Sequence, residues 1–292
     1  MREIRFFLCF LLICLLVACE KPILPDSEPS VTLSDANLKL SIFQLEQTPF
    51  SGLTRATASE VCTRLNFAIY DLEGNRLEQT NQNISDANFG TATFKLSEGS
   101  YQLVVLAHSS NGNPTMTNPA KIQFSNSQGY SDTFLYHTIV TVGDELQTIA
   151  LSLRRIVALC RFVITDDIPK GITRLEFTYK GGSGHFDATT GLGVTNSTQV
   201  VNFDVQSGQW QRQYDLYTFL HNIEGSIHLK VVAYDEDDNP QHEREFDIPM
   251  EQNNITWLMG DFFIDTTLAT SRPFTTTITI NDVWNGEQFL TY

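Results

Sequence analysis

A cysteine that closes an apolar run has the setting in this chain that points most directly to a chemistry. Leu16-Val17-Ala18-Cys19 ends the unbroken apolar stretch from Phe6 to Ala18, which follows Arg2 and Arg5. A basic start, a short apolar core and a small residue before the cut make a secretory signal. The run is shorter than the ~20 residues that cross a bilayer, so a retained transmembrane helix is the weaker reading. The four residues resemble the bacterial lipobox, in which the thiol accepts a diacylglyceryl group and a peptidase then cuts before it. The expectation is a signal peptide over 1–18 and lipidation at Cys19. Each buried methylene contributes ~0.8 kcal/mol, so two or three acyl chains hold a protein on a membrane almost permanently. The alternative is an ordinary secreted chain in which Cys19 is incidental.

Other constellations promise less. Asp235-Glu236-Asp237-Asp238-Asn239-Pro240 spaces oxygens like the start of a calcium loop. Pro240 stands where that loop needs Gly, and no Glu follows at its twelfth position, so a solvated hairpin turn is expected. Gly181-Gly182-Ser183-Gly184-His185 puts Ser183, His185 and Asp187 close in sequence, without the Gly two residues after Ser that a nucleophile elbow needs. A flexible loop is the expectation there. His108, His137, His221, His228 and His242 are scattered, with no spacing that favours a metal or a general base. Cys62 and Cys160 remain once Cys9, Cys14 and Cys19 are accounted for. They pair as an exported disulfide or stay as two buried free thiols in strand-like runs. There is no Cys-x-x-Cys or Cys/His cluster to hold zinc. No catalytic residue, cofactor or metal is expected, and the chain is read as not an enzyme.

Composition narrows the partners. The chain has 292 residues, a formal charge of −15, 41% hydrophobic residues and 20 Phe, which suits packed cores of two ordinary domains. So acidic a surface repels phosphate backbones, so nucleic acid is excluded as a partner. Acidity also gives no help on anionic lipid, which leaves the acyl chains to do the holding.

The elements that position these residues are strands. Residues 19–36, with Pro22, Pro25 and Pro29, read as a lipidated, extended linker. After it come short β-branched and aromatic runs broken by turns: Leu38–Leu45, Arg64–Tyr70, Ala92–Leu96, Tyr101–Ala107, Phe134–Val142 and Thr148–Leu153. A second series comprises Ile156–Ile164, Thr173–Tyr179, Gln199–Val205, Ile227–Tyr234, Thr256–Ile264 and Phe274–Ile280. Cys62–Asp71 parallels Leu159–Asp166, and Gly99–Ala107 parallels Gly225–Ala233. The fold class is therefore all-β: two tandem antiparallel β-sandwiches of related topology, over 37–151 and 152–292.

A lipobox, a Pro-rich spacer and two such halves resemble the FimB-type fimbrillin-A-associated anchor proteins of Bacteroidetes fimbriae. Phe134-Leu135-Tyr136-His137, Leu151-Ser152-Leu153-Arg154-Arg155-Ile156-Val157-Ala158 and Trp284 after the last strand carry the likeness. It implies transthyretin-like domains and a lipoprotein on the cell outer membrane, surface-exposed within a fimbrium. It implies other fimbrial subunits, a fimbrillin among them, as partners, joined when an extended segment completes an open sheet. Arg55, before Ala56, resembles the site at which stalk fimbrillins are cut; it also reads as a plain loop arginine. If uncut, Leu38–Leu45 fills the first groove and the subunit terminates the polymer. Phe274–Tyr292 reads either as a contact segment or as a plain last strand. The rival reading is a surface lipoprotein that binds glycan or host protein on a face formed by Trp210, Tyr214 and Tyr217.

Overall fold

The computed structural model describes residues 36–46, 58–125, 130–208, 212–264, 278–279 and 286–292. Its first half runs β1 (Leu38–Glu46), a four-residue helix α1 (Ala58–Val61), β2 (Arg64–Tyr70), β3 (Arg76–Asn83), β4 (Thr91–Phe94), β5 (Gly99–His108), β6 (Ile122–Gln123), β7 (Thr133–Val142) and β8 (Gln147–Arg155). Seven of these strands form one sheet in the order β3-β2-β5-β7-β8-β1-β4. The joint between β7 and β8 is only two residues long, Phe134↔Arg155 and Leu135↔Arg154. Beyond it the two strands separate and the sheet folds over as two layers. One core fills the space between, with Leu65, Phe67, Leu103 and Val105 from one layer and Leu38, Leu40, Leu151 and Leu153 from the other. At the far side the Gln82 side chain ties the layers, its Nε2 donating to Thr91 O at 2.7 Å and its Oε1 accepting from Gly90 N at 3.0 Å.

The second half contains β9 (Ala158–Ile164), β10 (Ile172–Ser183), β11 (His185–Asp187), β12 (Leu192–Gly193), β13 (Asn196–Asp204), β14 (Arg212–Thr218), β15 (Glu224–Asp235), β16 (Pro240–Glu251), β17 (Asn254–Gly260), β18 (Ile278–Thr279) and β19 (Gly286–Thr291). One sheet is β13-β10-β15-β16 and the facing one is β14-β9-β17-β19-β18. Their core includes Phe162, Phe177, Leu229, Val231, Ile248 and Leu258.

Strand by strand, the halves repeat. β3-β2-β5-β7 matches β13-β10-β15-β16 and β4-β1-β8 matches β14-β9-β17 in order and direction. Two expectations change here. The sequence parallel set β2 against β9, but β2 is bonded to β3 and β5, whereas β9 is bonded to β14 and β17. The counterpart of β2 is β10. Nor are the sheets purely antiparallel: β1–β8, β9–β17 and β17–β19 run parallel. A strand that leaves one layer and enters the other crosses over without a hairpin, and such a connection delivers a parallel neighbour.

Burial explains the apolar runs. Leu65, Phe67 and Ile69 of β2 face the first core, while Ala68 and Tyr70 face a third core between the halves. A strand covered on both sides reads as a continuous apolar run rather than an alternation. The third core joins Tyr70, Leu106, Met116 and Phe124 to Leu159, Phe186, Phe219 and Ile255. Beside it, β6 pairs with β11 across the halves. The junction is fixed by Arg155, whose side chain is 1% exposed and forms a two-pronged ion pair with Asp132 at 2.7 and 2.8 Å. Arg155 also donates to Asn253 Oδ1 at 3.0 Å, and Gln252 Nε2 donates to Ile156 O and Gly191 O, each at 3.0 Å. The described residues form one compact unit.

Candidate functional site

Cys19, Arg55, Ala56, Trp210, Trp284 and most of Phe274–Ile280 lie outside the described residues. The polar constellations that are described serve the backbone. Ser183 Oγ donates to His185 O and accepts from the amides of His185 and Thr195 at 3.2 and 3.0 Å. Asp187 Oδ1 accepts from Thr189 N at 2.7 Å. The stretch is not the flexible loop expected: Gly182 and Ser183 end β10, and Ser183 is fully buried. Asp235 Oδ1 accepts from the amides of Asp237 and Asn239 at 3.0 and 2.9 Å, which caps the β15–β16 hairpin. Those bonds hold the Asp235 carboxyl below its ordinary value. Among the described residues no group of His, Cys, Asp and Glu is arranged to hold a metal ion.

Cys62 and Cys160 are free and buried in separate cores. Burial pushes the Cys62 thiol up to about 12 and that of Cys160 higher still, which leaves both protonated and inert.

Of the aromatic face of the rival reading, the two described members, Tyr214 and Tyr217, do not lie together. Tyr214 is buried against Phe177 and Phe203, with ring centroids at 5.3 and 5.0 Å. Tyr217 packs on the opposite side of β14, at the core between the halves. Residues three apart on a strand point to opposite faces, so these two rings cannot share a platform.

One buried titratable group has a consequence. His108 accepts from Ser110 N at Nδ1 (3.1 Å), so its proton sits on Nε2 and is donated to Asn66 Oδ1 at 2.8 Å. Asn66 passes the chain of bonds on to Asn81 and Asn113 at 2.8 and 3.1 Å. Burial, and then the charge of Arg64, pull the imidazole down to about 3 from 6.5. The unfolded chain therefore takes up a proton below pH ~6.5 that the folded one refuses, so stability is complete above that pH and falls below it. The slope reaches up to ~1.4 kcal/mol per pH unit for this one group. Urea melts between pH 7 and 4 should show this fall, and His108→Gln should flatten it.

What stands out is β1. It enters at Asn37, whose Nδ2 donates to Leu96 O and Gly143 O at 2.8 and 2.7 Å while its Oδ1 accepts from Leu96 N at 2.8 Å. The strand then lies parallel to β8 and antiparallel to β4, with Leu38, Leu40 and Leu45 fully buried. Thus the first described strand is an inner strand of its sheet, bonded on both edges. Sequence reading found its extent but not the latch, since a single Asn before an apolar run carries no signal of its own.

These features define a class: an all-β chain of two related units that share a seven-strand arrangement. A family model matches residues 30–291, and the chain belongs to that family, DUF6562, a family of unknown function. No curated protein matches it. Among solved structures it is similar to a candidate adhesin from Bacteroides ovatus, at 15% identity over 80% of this chain and 87% of that one, TM-score 0.49. It is also similar to the fimbrial anchor protein Mfa2 from Porphyromonas gingivalis, at 12% identity over 71% and 80%, TM-score 0.43. A fimbrial assembly protein from Parabacteroides distasonis matches at 14% identity over 77% and 90%, TM-score 0.35.

Proposed function

We propose that this chain is an outer-membrane lipoprotein that attaches or terminates a fimbrial polymer through strand complementation. The observation that carries the reading is the setting of β1. It follows the Pro-rich segment 19–36, and it occupies an inner place that another chain's strand would take if it were removed. An inner strand satisfies the N–H and C=O groups of both neighbours, and its apolar side chains contribute burial at ~25 cal/mol per Å². With β1 in place the position between β4 and β8 is filled, and growth stops on that side. Cleavage between Arg55 and Ala56 would free β1 and convert a terminator into an acceptor; in the anchor it stays uncut. The two seven-strand units act as transthyretin-like sandwiches, and acyl chains on Cys19 bear the load that enters the fold at Asn37.

The reading is tested in cells by feeding a clickable fatty acid. The surface-bound protein should carry the label, and Cys19→Ala should lose it and release the protein, fimbriae attached, into the medium. An unlabelled mature protein, or one that begins at Ala56 within assembled fimbriae, would overturn the anchor role.

A further inference from the structure

At the β15–β16 hairpin the second half builds three walls, each pinned by a polar group. Pro169-Lys170-Gly171-Ile172 is a tight turn closed by Ile172 N donating to Pro169 O at 3.3 Å, and its Gly171 takes φ +96°. Only glycine adopts that value without strain. The turn sets Lys170, which is exposed, at its corner. The hairpin beside it is capped by Asp235, whose Oδ2 also accepts from Gln241 Nε2 at 2.6 Å. That bond leaves the amide oxygen of Gln241 as an acceptor. The third wall is Phe263, held by its own amide donating to Asp166 Oδ2 at 2.8 Å. His242 lies against it with ring centroids 5.8 Å apart, and Phe262 meets the same imidazole edge-on at 4.9 Å. Nε2 of His242 is enclosed without a hydrogen-bond partner among the described residues, so Nδ1 is the nitrogen that can serve a ligand. These groups line a cleft of about 420 Å³. In the first half the corresponding ends of β5, β7 and β8 meet the junction instead, where Arg155 pairs with Asp132.

We propose that this cleft is a binding site for an uncharged pyranose, one residue of a glycan. Its volume falls within the ~300–1,000 Å³ of small-ligand sites, and its walls are fixed before any ligand arrives. A sugar hydroxyl both donates and accepts, so it needs neighbours of both kinds. Here Asp235 and Gln241 accept, Lys170 donates, and His242 does either according to its tautomer. Phe263 is partly exposed and offers an apolar ring on which the C–H face of a pyranose can pack. Charge decides against anionic occupants. Glu236, Asp237 and Asp238 are exposed on the same hairpin, and together with Asp235 they outweigh Lys170 in a chain of charge −15. A carboxylate or phosphate would meet net repulsion there. An extended peptide needs a strand edge to run along, whereas this cleft lies across the ends of strands. The proposal goes beyond the strand-complementation reading and does not rest on it.

The probes are the methyl glycosides of glucose, galactose, mannose and N-acetylglucosamine, titrated separately into the purified full chain and followed by saturation-transfer NMR. At least one should bind saturably in the millimolar range. Lys170→Ala and Gln241→Ala, both at exposed positions, should each weaken that binding about fivefold, the loss of one hydrogen bond, with unchanged melting. Phe263→Leu, which keeps an apolar side chain and removes the ring, should abolish saturation. Lys180→Ala, exposed on β10 outside the cleft, should change nothing. Failure of all four glycosides to saturate, or binding indifferent to both alanine variants of the cleft, would overturn the proposal. So would acetate or inorganic phosphate displacing the sugar, which would make this an anion site on Lys170. Any of these failures leaves the acyl-labelling result, and the anchor reading with it, untouched.

Discussion

Leu40→Asp is expected to lower the melting temperature by ~10–20 °C or to leave the chain insoluble. Leu40 is fully buried and sits between Ala92 of β4 and Ile149 of β8. A carboxylate there has no partner, and an unpaired charge in a core costs several kcal/mol against a total stability of about 5–15 kcal/mol. For a domain of 150–250 residues each kcal/mol moves the melt by ~2–4 °C. Lys39→Asp, one residue away and on the other face, should shift it by less than ~3 °C. The same variant separates a merely structural strand from a complementing one. If the place of β1 is a groove that accepts a strand, a peptide copying residues 36–46 should restore the melt of the Leu40→Asp chain and leave wild type unchanged. A Leu40→Asp chain that melts within a few degrees of wild type would remove β1 from its central role.

The inner strands were legible because burial on two faces writes a continuous apolar run. Arg64–Tyr70 is read from sequence to the residue, and β5, β7 and β8 within two. β3 and β16 were not, because an edge strand keeps its polar side chains. β3 reads Arg76-Leu77-Glu78-Gln79-Thr80-Asn81-Gln82-Asn83, and β16 opens on a proline. A usable signal existed in their turns. Asp71 accepts from the amide of Asn75 at 2.7 Å, as Asp235 does from that of Asn239 at 2.9 Å, with Gly74 and Asp238 at positive φ between them. The shared Asp-x-x-x-Asn spacing marks two hairpins with the same turn, although they hold different places in the two halves. The duplication was misaligned for a related reason. Asp166 resembles Asp71 in following an apolar strand, yet it caps the amides of Phe262, Phe263 and Ile264 rather than a hairpin. Parallel neighbours, and the core between the halves, depend on contacts far apart in the chain and leave no local pattern. Among the proposed sites, the acyl acceptor is written in the sequence as a motif.

Phe219→Ala carries the second large effect, because it tests whether the halves work as one body. Phe219 is fully buried in the core between them, with Phe186, Tyr130 and Phe124 at centroid distances of 4.9, 5.2 and 5.9 Å. Removing a ring from such a cluster costs ~3–5 kcal/mol, partly transfer and partly the cavity left behind. A drop of ~10 °C is the expected shift. Where that loss falls is the sharper question. A subunit that passes tension from a tether at residue 36 to a neighbour gripped elsewhere must not open at its waist. In wild type the shared core, the β6–β11 pairing and the Arg155–Asp132 ion pair should therefore give a single calorimetric transition. With Phe219→Ala the coupling weakens while the first and second cores stay intact, and the transition should split in two. Phe203→Ala, on the partly covered rim of the second core, should lower the melt without splitting it. Two transitions already present in wild type would mean that the halves bear load separately. Under the proposed anchor role, a pull at residue 36 would then fall on the first sandwich alone.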